Sequence, residues 1–308
     1  MSNQLYPIIF MLLSTFSLSL TGLFSKFLSQ QLEPSLLGFL RFFLPMSLLL
    51  VFVALPKIRI PERRLMKPFW LRAVCIGLCQ ICFIYSLKHL SLVESVVLFS
   101  TGPMFIPLLE KLIFSTRVRP LSILGLVITF IGVLLLAGDV SNLSLRIELL
   151  VGLAAGFFNA GSQLALYRSS KTDLNPFEIN FWTFLFASVV LLPFVGVSAL
   201  QQPEWIVSES SSLMLLVAVL LALAALIINT QVFRSKAYKL AESNSQLAPL
   251  IYTNLLFTAL WQWLFFDDSY ESIQLLGLGL IVLANVLCAF IPKWVKAIER
   301  LRMNHNLR

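Results

Sequence analysis

The sequence predicts an all-α membrane protein of ten transmembrane helices, arranged as two inverted five-helix repeats with both termini cytoplasmic. Three observations predict it. Hydrophobic residues make up 58% of the 308 and charged residues 12%, with a mean hydropathy of +0.87; soluble domains use roughly 45–50% apolar residues. A pattern running from a Glu-Ser pair through a Pro-bearing apolar stretch to Leu-Gly-Leu occurs twice, at Glu94-Ser95 to Leu124-Gly125-Leu126 and at Glu242-Ser243 to Leu276-Gly277-Leu278. Lys and Arg, finally, gather in alternate links.

Spanning the hydrocarbon takes about 20 mainly apolar residues per helix, and ten segments meet that length. Tyr6–Phe27 comes first. It lacks the basic n-region and small-x-small cleavage site of a secretory signal and exceeds the usual h-region length, so it is expected to stay as a helix. Ser35–Leu55 follows and ends in the basic link of Lys57, Arg59, Arg63, Arg64 and Lys67. Phe69–Leu87 carries Cys75, Cys79 and Cys82 at helical spacing, read as small apolar filler because no His or carboxylate lies near in sequence to complete a metal site. Leu92–Phe114 is expected as one helix, with Pro103 and Pro107 kinking it. Leu121–Gly138 closes the first half.

The second half reads Leu149–Tyr167, Phe177–Leu200, Ser212–Phe233, Asn244–Phe266 and Ile273–Ile291. Gly152 and Gly156, four apart, suit close packing of Leu149–Tyr167 on a neighbour. Each half holds an odd number of helices, so the second copy enters the membrane from the opposite side. Residues 1–143 form the first repeat, 144–293 the second, and 294–308 a basic tail.

Orientation follows from the excess of Lys and Arg in cytoplasmic links. Arg117 and Arg119, Arg168 and Lys171, and Arg234, Lys236 and Lys239 fall on the same side as the first basic link and the tail. Glu33, Asp139, Glu204, Glu209, Asp267, Asp268 and Glu271 fall on the other. Topology and an anionic leaflet account for the net charge of +8, so nucleic acid is not expected as a partner.

Order and spacing along nearly the whole chain resemble drug/metabolite transporters of the EamA type. The residues that carry the resemblance are Gly22 to Lys26, Glu33-Pro34 and Phe39-Leu-Arg41-Phe42, then Glu94-Ser, Thr101-Gly-Pro103 and Gly125 through Gly132. In the second half they are Ala248-Pro249-Leu-Ile-Tyr252-Thr and Leu264 to Asp268. The family closes these two proline-bearing helices with Gly-Glu; this chain has Ser115-Thr116 and Asp267-Asp268. The resemblance implies a ten-helix permease of the bacterial cytoplasmic (inner) membrane, with a cavity among helices 1–4 and 6–9.

An ionised side chain at membrane depth costs about 2.5–3.5 kcal/mol even on lenient scales, so the few polar groups there are the candidate site. Arg41 leads, because its fork can hold a carboxylate; the structural reading is a pairing with Glu94 or with backbone carbonyls. Gln80, Tyr85, Asn159, Gln163, Trp182, Tyr252 and Asn254 are the other substrate-binding candidates, Trp182 and Tyr252 as aromatic walls. Glu94 either caps its helix or carries a coupling proton, and Pro103 and Pro249 are candidate gating hinges. Lys26 reads as an interface anchor or an attraction for anions.

The expected activity is secondary transport of a small polar metabolite, amino-acid-like or carboxylate-bearing, by alternating access. A carrier of S-adenosylmethionine within the family, suggested by Ala248 to Thr253, and a non-transporting receptor or scaffold stand beside it. An enzyme is not expected: His89 and His305, the two histidines, have no partner motif. No cofactor is expected, with proton coupling left open, and the chain is read as a monomer or homodimer.

Overall fold

A computed structural model of the protein describes residues 5–51, 61, 63–114, 147–201, 213–241 and 253–265, with scattered positions in 124–135, 247–251 and 271–283. Nine helices form among the described residues: α1 Leu5–Ser29, α2 Pro34–Leu49, α3 Arg63–His89, α4 Leu92–Phe99, α5 Gly102–Phe114, α6 Ile147–Ser170, α7 Pro176–Gln201, α8 Leu213–Leu240 and α9 Thr253–Phe265. Most of the expected fifth and tenth segments lies outside the described residues, as do Glu242-Ser243, Ser115-Thr116, Asp267-Asp268, Pro249, Tyr252 and the tail 294–308.

Among the described residues, five stretches are long and apolar enough to cross a membrane: Tyr6–Ser29, Met66–His89, Ile147–Ser170, Pro176–Leu200 and Leu213–Leu240. Their outward faces stay apolar where a soluble helix would be polar, as at Val197, Leu213, Met214 and Val217. Lipid is the solvent that suits such a surface.

Local chemistry sets several helix starts. Glu33 caps α2, its Oε2 accepting from the backbone N–H of Ser35 at 2.8 Å and Leu36 at 3.0 Å, with Pro34 in the first turn. Asn175 Oδ1 accepts from the N–H of Phe177 at 3.2 Å at the start of α7, where Pro176 again opens the helix.

The expected continuous helix Leu92–Phe114 is broken in two. α4 ends at Phe99, Ser100 forms its C-cap, and Thr101 turns back with both its N–H (3.2 Å) and its hydroxyl (2.6 Å) on the carbonyl of Leu98. α5 then starts at Gly102 with Pro103 as its second residue, a first-turn position where a missing N–H costs nothing. So Pro103 opens a helix instead of kinking one. The break is buried under α6: a Cβ on Gly156 would lie 2.2 Å from Thr101 Oγ1 and 2.7 Å from the Leu98 carbonyl oxygen. Glycine at 156 therefore lets the two backbones touch, as the four-residue spacing with Gly152 suggests.

Helix packing follows a two-fold correspondence in which α1, α2 and α3 match α6, α7 and α8, and α5 matches α9. α1 packs chiefly on α8 and α3 chiefly on α6; α2 packs on α7, and α2 on α8 mirrors α7 on α3. Two lysines repeat the same relation. Lys26 Nζ, near the end of α1, donates to the carbonyls of Leu87 (2.7 Å) and Leu90 (2.6 Å) where α3 gives way to α4. Lys171, just after α6, donates to the carbonyls of Lys239 (3.2 Å) and Ala241 where α8 ends. Both ammonium groups satisfy carbonyls left over at a helix C-terminus. Lys26 is thus a tie between helices, where sequence suggested an anchor at the interface.

Candidate functional site

The polar residues expected to converge do so around two adjoining voids, of about 30 and 20 Å³, in the middle of the helix packing. α2 brings Arg41, α3 brings Gln80, and α6 brings Asn159 and Gln163 to the larger void; Arg41 and Gln80 also border the smaller one with Asn254 of α9. A water molecule needs about 10–15 Å³ by this measure, whereas drug-sized ligands occupy sites of roughly 300–1,000 Å³. The site is closed around its polar lining.

Arg41 is 5% exposed. Its Nη1 donates to Ser25 Oγ, its guanidinium carbon sits 6.0 Å from the Phe83 ring centroid, and its Nε has no partner among the described residues. Glu94, the expected ionic partner, is occupied elsewhere: its Oε2 accepts from Ser91 N–H at 2.8 Å while Ser91 Oγ accepts from Glu94 N–H at 3.2 Å, a capping box that starts α4. The Arg41–Glu94 pairing is not formed. Asn159 and Gln163 share a face, as their spacing predicts, and bond to each other, Gln163 Nε2 to Asn159 Oδ1 at 3.2 Å. Gln163 Oε1 accepts from the Tyr238 hydroxyl at 3.0 Å. Gln80 Oε1 and Asn254 Oδ1 are buried without a partner among the described residues.

Two of the substrate-binding candidates, Tyr85 and the expected wall residue Trp182, border neither void. Tyr85 packs against His89 near the end of α3, with ring centroids 4.6 Å apart. Trp182 sits against Phe181 (5.5 Å) and Phe186 (5.8 Å) on α7. The aromatic residues that do border the voids are Phe42, Phe83 and Phe99.

Arg234 is where sequence and structure differ most. Counted with Lys236 and Lys239 in a cytoplasmic link, it lies inside α8, is 1% exposed and borders the larger void. Its Nε and Nη2 have no partner among the described residues. Arg72, which sequence reasoning passed over, is 0% exposed on α3. It binds α7 and α8 together: Nη1 donates to Thr183 Oγ1 at 2.9 Å, and Nη2 to Asn180 Oδ1 and Gln231 Oε1, both at 3.1 Å. Asn180 in turn donates to Ser235 Oγ at 3.0 Å. Among the described residues, no Asp or Glu borders either void.

The chain matches a known family over almost all of its length: the model of the EamA-like transporter family aligns twice, with residues 5–138 and with 146–290. The chain belongs to the EamA-like transporter family. Among curated relatives, the pseudopaline exporter CntI of Pseudomonas aeruginosa, from strains UCBPP-PA14 and PAO1, is 27% identical over 220 residues, 70% of this chain and 72% of the relative. A solved crystal structure superposes with a TM-score of 0.63 at 14% identity, covering 94% of this chain and 99% of its own; that similarity concerns the fold alone. The EamA-like assignment makes this a multi-pass membrane transporter with a small-molecule substrate, and it points away from an enzyme.

Proposed function

We propose that the chain is a secondary transporter that moves a small polar, carboxylate-bearing metabolite across the bacterial inner membrane by alternating access. Residues 1–143 and 144–293 act as the two inverted repeats, in a ten-span topology with cytoplasmic termini. The observation that carries this reading is a closed polar cavity lined from both repeats, by Arg41 and Gln80 from the first and by Asn159, Gln163 and Arg234 from the second. A site shared by two bundles of corresponding helices is one that rocking can open to either face in turn. The two-fold correspondence of helix contacts supports the repeats, and the relative named as an exporter supports outward transport. Arg41 anchors the substrate carboxylate. Pro103, at the break between α4 and α5, and Pro249 are the gating positions. If protons drive the cycle, Glu94 is the carboxylate that carries them, released from its cap as α4 moves.

The test is reconstitution. Proteoliposomes preloaded with amino acids, hydroxy acids and dicarboxylates are expected to show counterflow of at least one labelled member of the panel, with protein-free liposomes silent. A folded protein that moves no member in either direction would instead be a receptor or scaffold.

A further inference from the structure

Arginine is expensive inside a membrane, at about 2.5–3.5 kcal/mol each on insertion scales, and three lie buried together here: Arg41 at 5% exposure, Arg72 at 0% and Arg234 at 1%. None forms an ion pair among the described residues. Arg72 borders neither void and holds three acceptors on its two terminal nitrogens, with its Nε unpartnered among the described residues. Arg41 and Arg234 face the same void with unpartnered donors, Nε on Arg41 and both Nε and Nη2 on Arg234. A buried charge without a counter-charge is strongly unfavourable, and an arrangement that repeats the cost needs something to offset it.

We propose that the cavity takes a cargo with two separate carboxylates, one held by Arg41 of α2 and the other by Arg234 of α8. Gln80, Gln163 and Gln231 supply neutral hydrogen bonds around the span between them. Arg72, whose terminal nitrogens are held by Thr183, Asn180 and Gln231, lies outside the lining and adds positive potential without touching the cargo. This inference rests on the transporter reading above and narrows it. Arg41 belongs to the first repeat and Arg234 to the second, so a cargo with two anionic ends bridges the two halves. A cargo with one end holds only one of them, and that difference lets occupancy by the right cargo favour the closed state.

The experiment measures binding by isothermal titration to purified protein in detergent, with glutarate, butyrate, glutaramide and glycerol 3-phosphate as probes. Glutarate is expected to bind about 10–100-fold more tightly than butyrate, the value of a second charge-assisted contact, with no measurable heat from glutaramide. Arg234→Gln should bring glutarate down to the affinity of butyrate measured on the same variant; Arg234→Lys should recover part of the difference. Equal affinities for glutarate and butyrate in the unaltered protein would overturn the proposal whatever the variants do. So would tight binding of glycerol 3-phosphate alone, which would mean a single-phosphate clasp. Because these are binding measurements, selective binding of glutarate without counterflow in any assay would refute transport and leave the two-anion site standing.

Discussion

Arg41→Gln abolishes transport while leaving the folded protein as stable as before, or more so. Removing one side of a buried, hydrogen-bonded charge contact with substrate costs about 2–5 kcal/mol, a loss of at least roughly 30-fold in counterflow at low substrate. In the unliganded protein the same change removes a buried guanidinium that donates to Ser25 Oγ and whose Nε has no partner among the described residues. Deleting an uncompensated charge tends to stabilise. Arg41→Lys keeps the charge without the fork, so it should retain folding and lose about tenfold in transport. The two readouts, counterflow in proteoliposomes and the thermal unfolding midpoint in detergent, separate a ligand from a strut. A strut would lose stability first and transport only in proportion.

Arg72→Met should do the opposite. Its two terminal nitrogens serve Thr183 Oγ1, Asn180 Oδ1 and Gln231 Oε1, and each buried acceptor left without a donor costs about 1–3 kcal/mol. With partial relaxation the loss is about 3–5 kcal/mol, a drop of roughly 10 °C in the midpoint if the usual 2–4 °C per kcal/mol for chains of a few hundred residues applies. Transport per folded molecule should survive in Arg72→Lys, which keeps the positive charge. A midpoint within about 2 °C of the parent together with lost transport would make Arg72 a ligand and contradict its role as the bolt between α3, α7 and α8.

The membrane class, the family and half of the cavity are legible in the sequence. Composition and segment length identify the solvent, and the meeting of Arg41, Gln80, Asn159 and Gln163 follows from asking which polar groups sit deep in apolar runs. Arg234 and Arg72 escape that question because each lies near the end of its run. The apolar stretch 212–233 stops one residue short of Arg234, so a tally of positive links absorbs it, yet α8 continues to Leu240. Arg72 falls three residues into 69–87, where hydropathy cannot distinguish a residue snorkelling outward from one locked between helices. The break after Phe99 had a signal: Gly102-Pro103 is as good a helix start as a kink. Tyr85 and Trp182 lie outside the lining of both voids, and their polar or aromatic character says nothing about which face of α3 or α7 they occupy.

The account's central claim is that one cavity serves both faces of the membrane, and the chain carries its own reporter. Cys79 is 1% exposed on the wall of the larger void, in the same lining as Arg41 and Gln80. A variant retaining Cys79 while Cys75, Cys82 and Cys288 are replaced by Ala can be treated with a membrane-impermeant, anionic thiosulfonate in right-side-out and then in inverted vesicles. The account predicts labelling of Cys79 from each face, slow because the closed state predominates, and slowed further by cargo. Labelling from one face only, or from neither while the same protein transports, would contradict it.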